Sequence, residues 1–379
     1  FDMIALGLRT ETLTQSLEAL HEKLLETVPS IDRIACALYD EKEDLLKTFI
    51  NSSRSGQALA EYEFKLSDSQ SLSALAASGD FRVLDNIEQE LQSNSAHSVW
   101  LREQGYRSSF TVPIYDGGNF SGFVFFDSLQ SGAFSPAVQR DLVLYTNLIS
   151  MAIANELSAV RTVLEATRVA RQLTGIRDFE TGFHLDRMAR YSRLIAQTVA
   201  STHGRNDEFV ESIYLFAALH DIGKIGIPDH ILLKPGAFTA AERAIMETHV
   251  HTGVQIIDNI IGTGSKNRLP DSNILRNIIH CHHELLDGSG YPRQLKGHEI
   301  PLEARIVTVA DIFDSLTADR PYKKVWSPEQ ALAELDRMVA AGQLDPECVR
   351  AVHIHLPQFI EIRDRYEESQ ADRVPCAIE

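Results

Sequence analysis

Apolar residues recur at spacings of three and four along residues 11–28, at Leu13, Leu17, Leu20, Leu24 and Val28, which predicts an amphipathic helix with one core-facing stripe. Strand-like runs follow at 33–40, 45–52 and 81–85. Two more, 108–115 and 120–127, flank Asp116-Gly117-Gly118, a turn signal that predicts a hairpin. Ser135-Pro136 then supplies an N-cap and a proline at the first helical position, opening an apolar-rich helix through Leu142, Leu148, Ile149 and Ile153. Residues 1–155 are therefore expected to form an α+β domain, an antiparallel sheet with helices around it.

The pattern changes after that. Residues 156–174 hold neither Gly nor Pro and place Leu157, Val160, Leu164 and Thr167 at three-four spacing, so 156–178 is assigned to a connecting helix. A dimeric coiled coil and a single helix lying against either domain both stay open for it. From residue 180 strand signals nearly vanish. Leu185, Met188, Ser192, Ile195 and Val199 form one helix face ending near Gly204, and another helix ends at His220-Asp221. Thr239 with Glu242 reads as a capping box opening the helix that carries His249. Ser327-Pro328 with Gln330 reads as a second, with Gly342 at the end of that helix. The expectation for 179–379 is an all-α domain.

Composition adds limits. A chain of 379 residues suggests two or three domains at roughly 150 residues each, and 44% apolar with 23% charged residues is the balance of a folded chain. Two is the working number. No run of about 18 apolar residues occurs, and the opening Phe1-Asp2-Met3 lacks the basic-then-apolar order of a secretion signal, so the reading is a cytoplasmic protein off the membrane. The start looks like a fragment boundary. Four separated cysteines without a CxxC pair indicate reduced thiols rather than a disulfide framework or thiolate zinc site. A net charge of -17 argues against general nucleic-acid binding, and a small anionic ligand would need a local cationic patch or metals.

Histidine is unevenly placed: of fourteen, only His21 and His97 precede residue 180. The chemistry is expected in the second half. His220-Asp221, with Gly223 and Lys224 following, can converge on metal ions where a helix ends. Glu180 and His184 lie four apart, His249 is expected on the capped helix, His282-His283 are consecutive, and Asp311 lies in a Val-Ala-Asp run. Five imidazoles and three carboxylates make a plausible ligand set, one that suits iron, manganese or zinc better than magnesium. Core packing or surface exposure is the preferred reading for His203, His230, His298, His353 and His355, while His251 and His280 stay open.

HDIGK at 220–224 and HHELLDGSGYP at 282–292 resemble the HD-GYP family. The resemblance extends through RDFETGFH at 177–184, the His249-to-Gly253 spacing and IPLEARIVTVADIFDSLTADRPYK at 300–323, hence over nearly all of 177–350. It implies an all-helical domain with two or three divalent metal ions, iron first and manganese second, and phosphodiesterase activity on cyclic di-GMP. By motif matching it implies that Glu180, His184, His220, Asp221, His249, His282, His283 and Asp311 hold metal, that His220, Asp221 and Lys224 are catalytic, and that Lys224, Gly290, Tyr291, Arg320 and Lys323 contact the substrate. Leu285-Leu286 depart from the arginine and tryptophan usual after HHE, at positions that are not ligands. Glu180 would serve a third ion, the alternative being an exposed glutamate at a helix start.

Residues 1–155 look like a GAF domain, through the helix, the sheet and the SFTVPIYDGGNFSGFVFFDS hairpin followed by a long helix. That implies a sensor for an unnamed small ligand. Cys36, Trp100 and Phe125 are candidates to line a pocket, with plain core packing preferred for each. The expected activity is hydrolysis of cyclic di-GMP to linear pGpG, with cleavage onward to GMP left open, regulated by the first domain in a homodimer. A catalytically weak cyclic-dinucleotide sensor or scaffold, a phosphodiesterase preferring cyclic GMP-AMP, and an HD-type enzyme for other nucleotides remain as alternatives.

Overall fold

The alternation in the first half of the chain is realised as one antiparallel sheet. The computed structural model describes residues 12–54, 59, 62–91, 96–173, 182–262, 272–318 and 325–366. Six strands, β1 (Arg33–Asp40), β2 (Leu45–Ser53), β3 (Glu63–Lys65), β4 (Arg82–Leu84), β5 (Ser108–Asp116) and β6 (Asn119–Ser128), lie in the order β3-β2-β1-β6-β5-β4. Gly117 and Gly118, with φ of 57° and 88°, form the tight β5–β6 turn, which demands left-handed backbone at both positions. Helix α1 (Leu13–Leu25) is capped by Thr12 and buries Leu13, Leu17, Leu20 and Leu24, the stripe its spacing predicts. These side chains share a core with one face of the sheet and with Leu142, Ile149 and Ile153.

The sequence reading misses β3 and the short helices α2 (Gln70–Ser78), α3 (Ile87–Glu90) and α4 (Ala96–Glu103). β3 and α3, with three and four residues, are too short to show a period. It also divides what is one element: α5 runs unbroken from Pro136 to Leu173, so the expected connecting helix is the second half of the helix that Ser135-Pro136 opens. Residues 174–178 lie outside the described residues.

The chain forms two compact units, Phe1–Ser158 and Ala159–Glu379. The second is helical throughout its described residues. Its helices are α6 (Gly182–Ala200), α7 (Asp207–Phe216), α8 (Asp229–Leu232), α9 (Ala240–Met246), α10 (His249–Gly262), α11 (Ser272–Cys281), α12 (Leu302–Thr317), α13 (Pro328–Ala340), α14 (Pro346–Ile354) and α15 (Leu356–Arg365). Met188, Tyr191 and Ile195 of α6 pack in one core with Phe313 of α12 and Phe359 of α15. Both capping boxes form, at Thr239–Glu242 and Ser327–Gln330, and each cap stabilises its helix by about 1 kcal/mol. The Thr239 box does not open the helix that carries His249, however: α9 ends at Met246, and His249 begins α10. No described helix is long and apolar enough to cross a membrane.

Candidate metal centre

The chain turns at His220-Asp221, between a short 3₁₀ turn after α7 and another that starts at Ile222. A Cβ at Gly223 would stand 1.8 Å from the His249 carbonyl oxygen and 2.5 Å from the Gly253 nitrogen. Only glycine lets this segment lie on the first turns of α10, and that contact sets Asp221 beside His249. His184 comes from the first turn of α6, His282 and His283 follow the last turn of α11, and Asp311 sits within α12.

These residues gather in two groups. Asp221, His249, His282 and His283 each place one ligating atom within 4.8 Å of the others, and His184, His220 and Asp311 do the same. Asp221 faces both. Its Oδ1 lies 3.0 Å from His249 Nε2 and 3.5 Å from His282 Nε2, while its Oδ2 lies 3.1 Å from His220 Nε2 and 2.7 Å from Lys224 Nζ.

Hydrogen bonds on the far side of each ring fix which nitrogen faces inward. His220 Nδ1 lies 2.8 Å from the Ala217 carbonyl, His249 Nδ1 2.8 Å from that of Met246, and His282 Nδ1 3.0 Å from that of Ile278. His184 Nδ1 lies 2.7 Å from Asp314 Oδ2. Carbonyl and carboxylate oxygens only accept, so each Nδ1 donates and each Nε2 turns a lone pair inward. Despite their closeness, Asp221 Oδ1 and the Nε2 atoms of His249 and His282 make no hydrogen bond. Buried lone pairs facing lone pairs repel unless a cation lies between them, so the donor set fits divalent metal.

Ionisation agrees. Burial alone would raise the Asp221 carboxyl, but the Lys224 ammonium beside it outweighs burial and holds the group well below the usual carboxylate range. Burial lowers His282, and it lowers His283 further with His282 beside it, so both are neutral at physiological pH. An ionised carboxylate beside two neutral imidazoles, His282 and His283, is the form that binds metal.

The loop after α11 folds back on this centre. Buried Glu284 accepts from the backbone N–H groups of Arg293 at 2.7 Å and Leu295 at 2.9 Å, and Tyr291 N donates to the His283 carbonyl at 3.1 Å. A Cβ at Gly290 would come within 2.4 Å of the His283 oxygen, so this glycine permits the close approach. The Tyr291 ring stacks on His283 with centroids 4.6 Å apart. Burial pushes its hydroxyl pKa up, keeping the proton on. Leu285 packs against the main core and Leu286 against the cluster of Cys281, Ile300 and Ala304, so the departure after HHE affects packing and leaves the ligand positions alone.

Seven of the eight residues expected to hold metal thus come together; Glu180 lies outside the described residues, as do Arg320 and Lys323. His203, His353 and His355 instead meet Glu347, Asp336 and Thr198 at 2.8 to 2.9 Å. His251 and His280 face each other, ring centroids 5.1 Å apart, outside both groups. Two residues were missed by sequence reasoning: Asp314, which holds His184, and Arg187, whose Nη2 lies 2.9 Å from Asp314 Oδ2. Each stands three residues beyond an expected ligand, a spacing that could have found them.

In the first unit Cys36 and Phe125 line a small cavity with Arg33, Thr48, Tyr62 and His97. Trp100 does not line it, and its ring lies under the Arg33 guanidinium at 4.7 Å. Burial lowers His97 to about 3, helped by Arg33 and Arg82, and raises the Cys36 thiol to about 12.

Residues 179–348 match the HD domain family. The chain is 41% identical over 206 residues to the cyclic di-GMP phosphodiesterase response regulator RpfG of Xanthomonas campestris, covering 54% of this chain and 51% of that protein. It is also 41% identical to 3'3'-cGAMP-specific phosphodiesterase 2 of Vibrio cholerae, covering 49% and 34%, and to a cyclic di-GMP phosphodiesterase of Thermotoga maritima, covering 50% and 48%. It thus spans about half or less of these relatives' length. Among solved structures, the GAF domain of a phosphoenolpyruvate-protein phosphotransferase from Coxiella burnetii is similar over 41% of this chain and 90% of its own, at 14% identity and a TM-score of 0.34.

Proposed function

We propose that the second unit, which carries an HD domain over 179–348, is a metal-dependent phosphodiesterase that hydrolyses cyclic di-GMP to linear pGpG and onward to GMP. The observation that carries this reading is Asp221, whose two oxygens face two separate groups of inward-turned ligand atoms. His184, His220 and Asp311 would hold one divalent ion, and His249, His282 and His283 the other, with Asp221 between them. Iron is the metal we expect, manganese the alternative, and Glu180 would contribute to a third ion beside His184. When bound, two such ions neutralise a phosphate oxygen and make water acidic enough to attack near neutral pH.

The chain's own groups do the rest. Lys224 Nζ, beside Asp221 Oδ2, brings a positive charge to where negative charge grows on phosphate. Tyr291, fixed against His283, presents a ring and a protonated hydroxyl at the edge of the centre. Arg320 and Lys323 supply cationic contacts to phosphate and base, Arg320 in two-pronged fashion. In the step itself the oxygen of water bonds to phosphorus as the bond to the ribose 3′ oxygen breaks, and that oxygen leaves with a proton. The first unit is sensory: residues 1–155 bind a small ligand, with the cavity beside Cys36 and Phe125 as its place, and 156–178 link them to 179–379 in a homodimer.

A preference for 3'3'-cGAMP is the one other reading with an observation behind it, since a relative named for that substrate is as similar as the cyclic di-GMP enzymes. Protein loaded with Fe²⁺ or Mn²⁺ and given each dinucleotide decides between them by chromatography of the products. Faster release of pGpG supports the proposal; metal-replete protein that cleaves neither overturns it. A fragment beginning near Arg177 with unchanged turnover and unchanged size would overturn the regulatory role of the first unit.

A further inference from the structure

Asp314 lies one helical turn beyond Asp311 on α12, and Arg187 one turn beyond His184 on α6. The Asp314 carboxylate is 1% exposed and takes three donors: His184 Nδ1 at 2.7 Å and Arg187 Nη2 at 2.9 Å on Oδ2, and Arg187 Nε at 2.5 Å on Oδ1. Arg187 Nη1 donates in turn to the Tyr366 carbonyl at 2.8 Å, at the end of α15. A staple between two helices would need only the two-pronged arginine–carboxylate pair. The structure adds an imidazole, and it adds it at the nitrogen whose opposite number faces the His220 group.

His220, His249 and His282 all donate Nδ1–H to neutral backbone carbonyls, whereas His184 donates to a carboxylate. A charged acceptor fixes the tautomer as a carbonyl does, and it also makes the imidazole a stronger donor toward metal.

We propose that Asp314 is a positioning residue that sets the metal affinity of the His184, His220 and Asp311 group, separately from that of the Asp221, His249, His282 and His283 group. The inference rests on the metal-centre reading given above. The two groups thus bind their ions with unequal strength, and one carboxylate that touches neither ion tunes the difference.

Titration of metal-depleted full-length protein with Mn²⁺, followed by calorimetry and by electron paramagnetic resonance, tests this. Wild type should take up two ions in these groups and show the signal of a spin-coupled pair. Asp314→Asn keeps the shape of the side chain; it should bind one ion as before and the other about ten- to a hundredfold more weakly, with an uncoupled single-ion signal at intermediate Mn²⁺. Arg187→Met removes the helix staple and leaves the His184 contact; it should lower thermal stability and leave both affinities near wild type. Unchanged affinities in Asp314→Asn would overturn the proposal, as would Arg187→Met weakening the same ion equally, since the role would then be structural. Should Asp314→Asn not fold, Asp314→Glu, which keeps the charge but displaces it, must weaken the same ion or the proposal fails. Wild-type protein that holds two ions yet cleaves neither dinucleotide would sink the functional reading and leave this one standing.

Discussion

The two units bury charge in opposite ways. In the first, Arg33 and Asp127 are 2% and 1% exposed, and they close on each other: Arg33 Nη1 pairs with Asp127, Ser109 donates to the same carboxylate, and the guanidinium covers Trp100. In the second, Asp221, His249 and His282 are also buried, but Asp221 Oδ1 and the two Nε2 atoms point at one common space. Folding alone favours the first arrangement, because a buried polar group without a partner costs roughly 1–3 kcal/mol. Several such groups aimed at one place are held at a cost that a ligand offsets. The contrast separates a polar core that serves the fold from one that serves chemistry.

The sharpest way to break this contrast is to remove His220 and Asp221 together. The double alanine variant should lose hydrolysis to background and bind less metal while keeping its helical circular dichroism, since core packing in the second unit rests on residues such as Tyr191, Phe313 and Phe359. Wild-type turnover, or metal content unchanged by direct metal analysis, would show that the buried cluster is structural after all.

How legible each unit was follows from the same contrast. The ligands could be read in the sequence because metal chemistry demands particular residue types, and the neighbourhoods of His220, His282 and Asp311 carry them in recognisable order. Asp314 and Arg187 escaped because they act on a ligand rather than on the metal, and an Asp–Arg pair on two helices reads like any solvated pair until the fold joins them. The sheet was legible through alternation and the Gly117-Gly118 turn, whereas β3 was not, having three residues with only Phe64 partly buried. Helix α5 was cut in two because its apolar stripe serves the first core only as far as about Leu157, and nothing in the pattern distinguishes a continuing helix from a new one.

Next in size is a break in the first unit's closed pair. Arg33→Met leaves Asp127 charged and buried, and removing one partner of such a pair costs about 3–5 kcal/mol. In a Trp326→Phe background, Trp100 is the one tryptophan left to report. Its fluorescence should show the first unit unfolding at distinctly lower urea. Adding Asp127→Leu should restore part of the loss, because two apolar side chains remove the unpaired charge. A midpoint equal to that of the parent would mean that the pair contributes nothing to folding.

Gly223→Ala tests the second unit by geometry rather than charge. The added Cβ would meet the His249 backbone at 1.8 Å, and neither chain segment is a flexible side chain that can swing away. Forced separation in a packed interior costs about 1–3 kcal/mol, and here it also moves Asp221 away from His249. Metal retention after dialysis should therefore fall more than thermal stability does. A variant that holds metal as well as wild type would show that the close crossing is not what sets Asp221 beside His249.

The smallest effect sharpens the comparison through pH. His97 sits against the cavity of the first unit with its pKa brought down to about 3 by burial and by Arg33 and Arg82, while in the unfolded chain it titrates near the ordinary 6.5. Between those values the unfolded chain binds the proton and the folded one does not. Stability contributed by the neutral ring is thus complete above about 6.5 and is lost progressively as pH falls toward 3. The carboxylates add their own acid sensitivity, so the difference between parent and His97→Gln isolates the imidazole. With Trp100 as the probe, the urea midpoint of the parent should fall more steeply between pH 6.5 and 4.5 than that of His97→Gln, and the two curves should run parallel above pH 7.5. Parallel curves throughout would mean that His97 is hydrated in the folded state and the cavity beside it open to water.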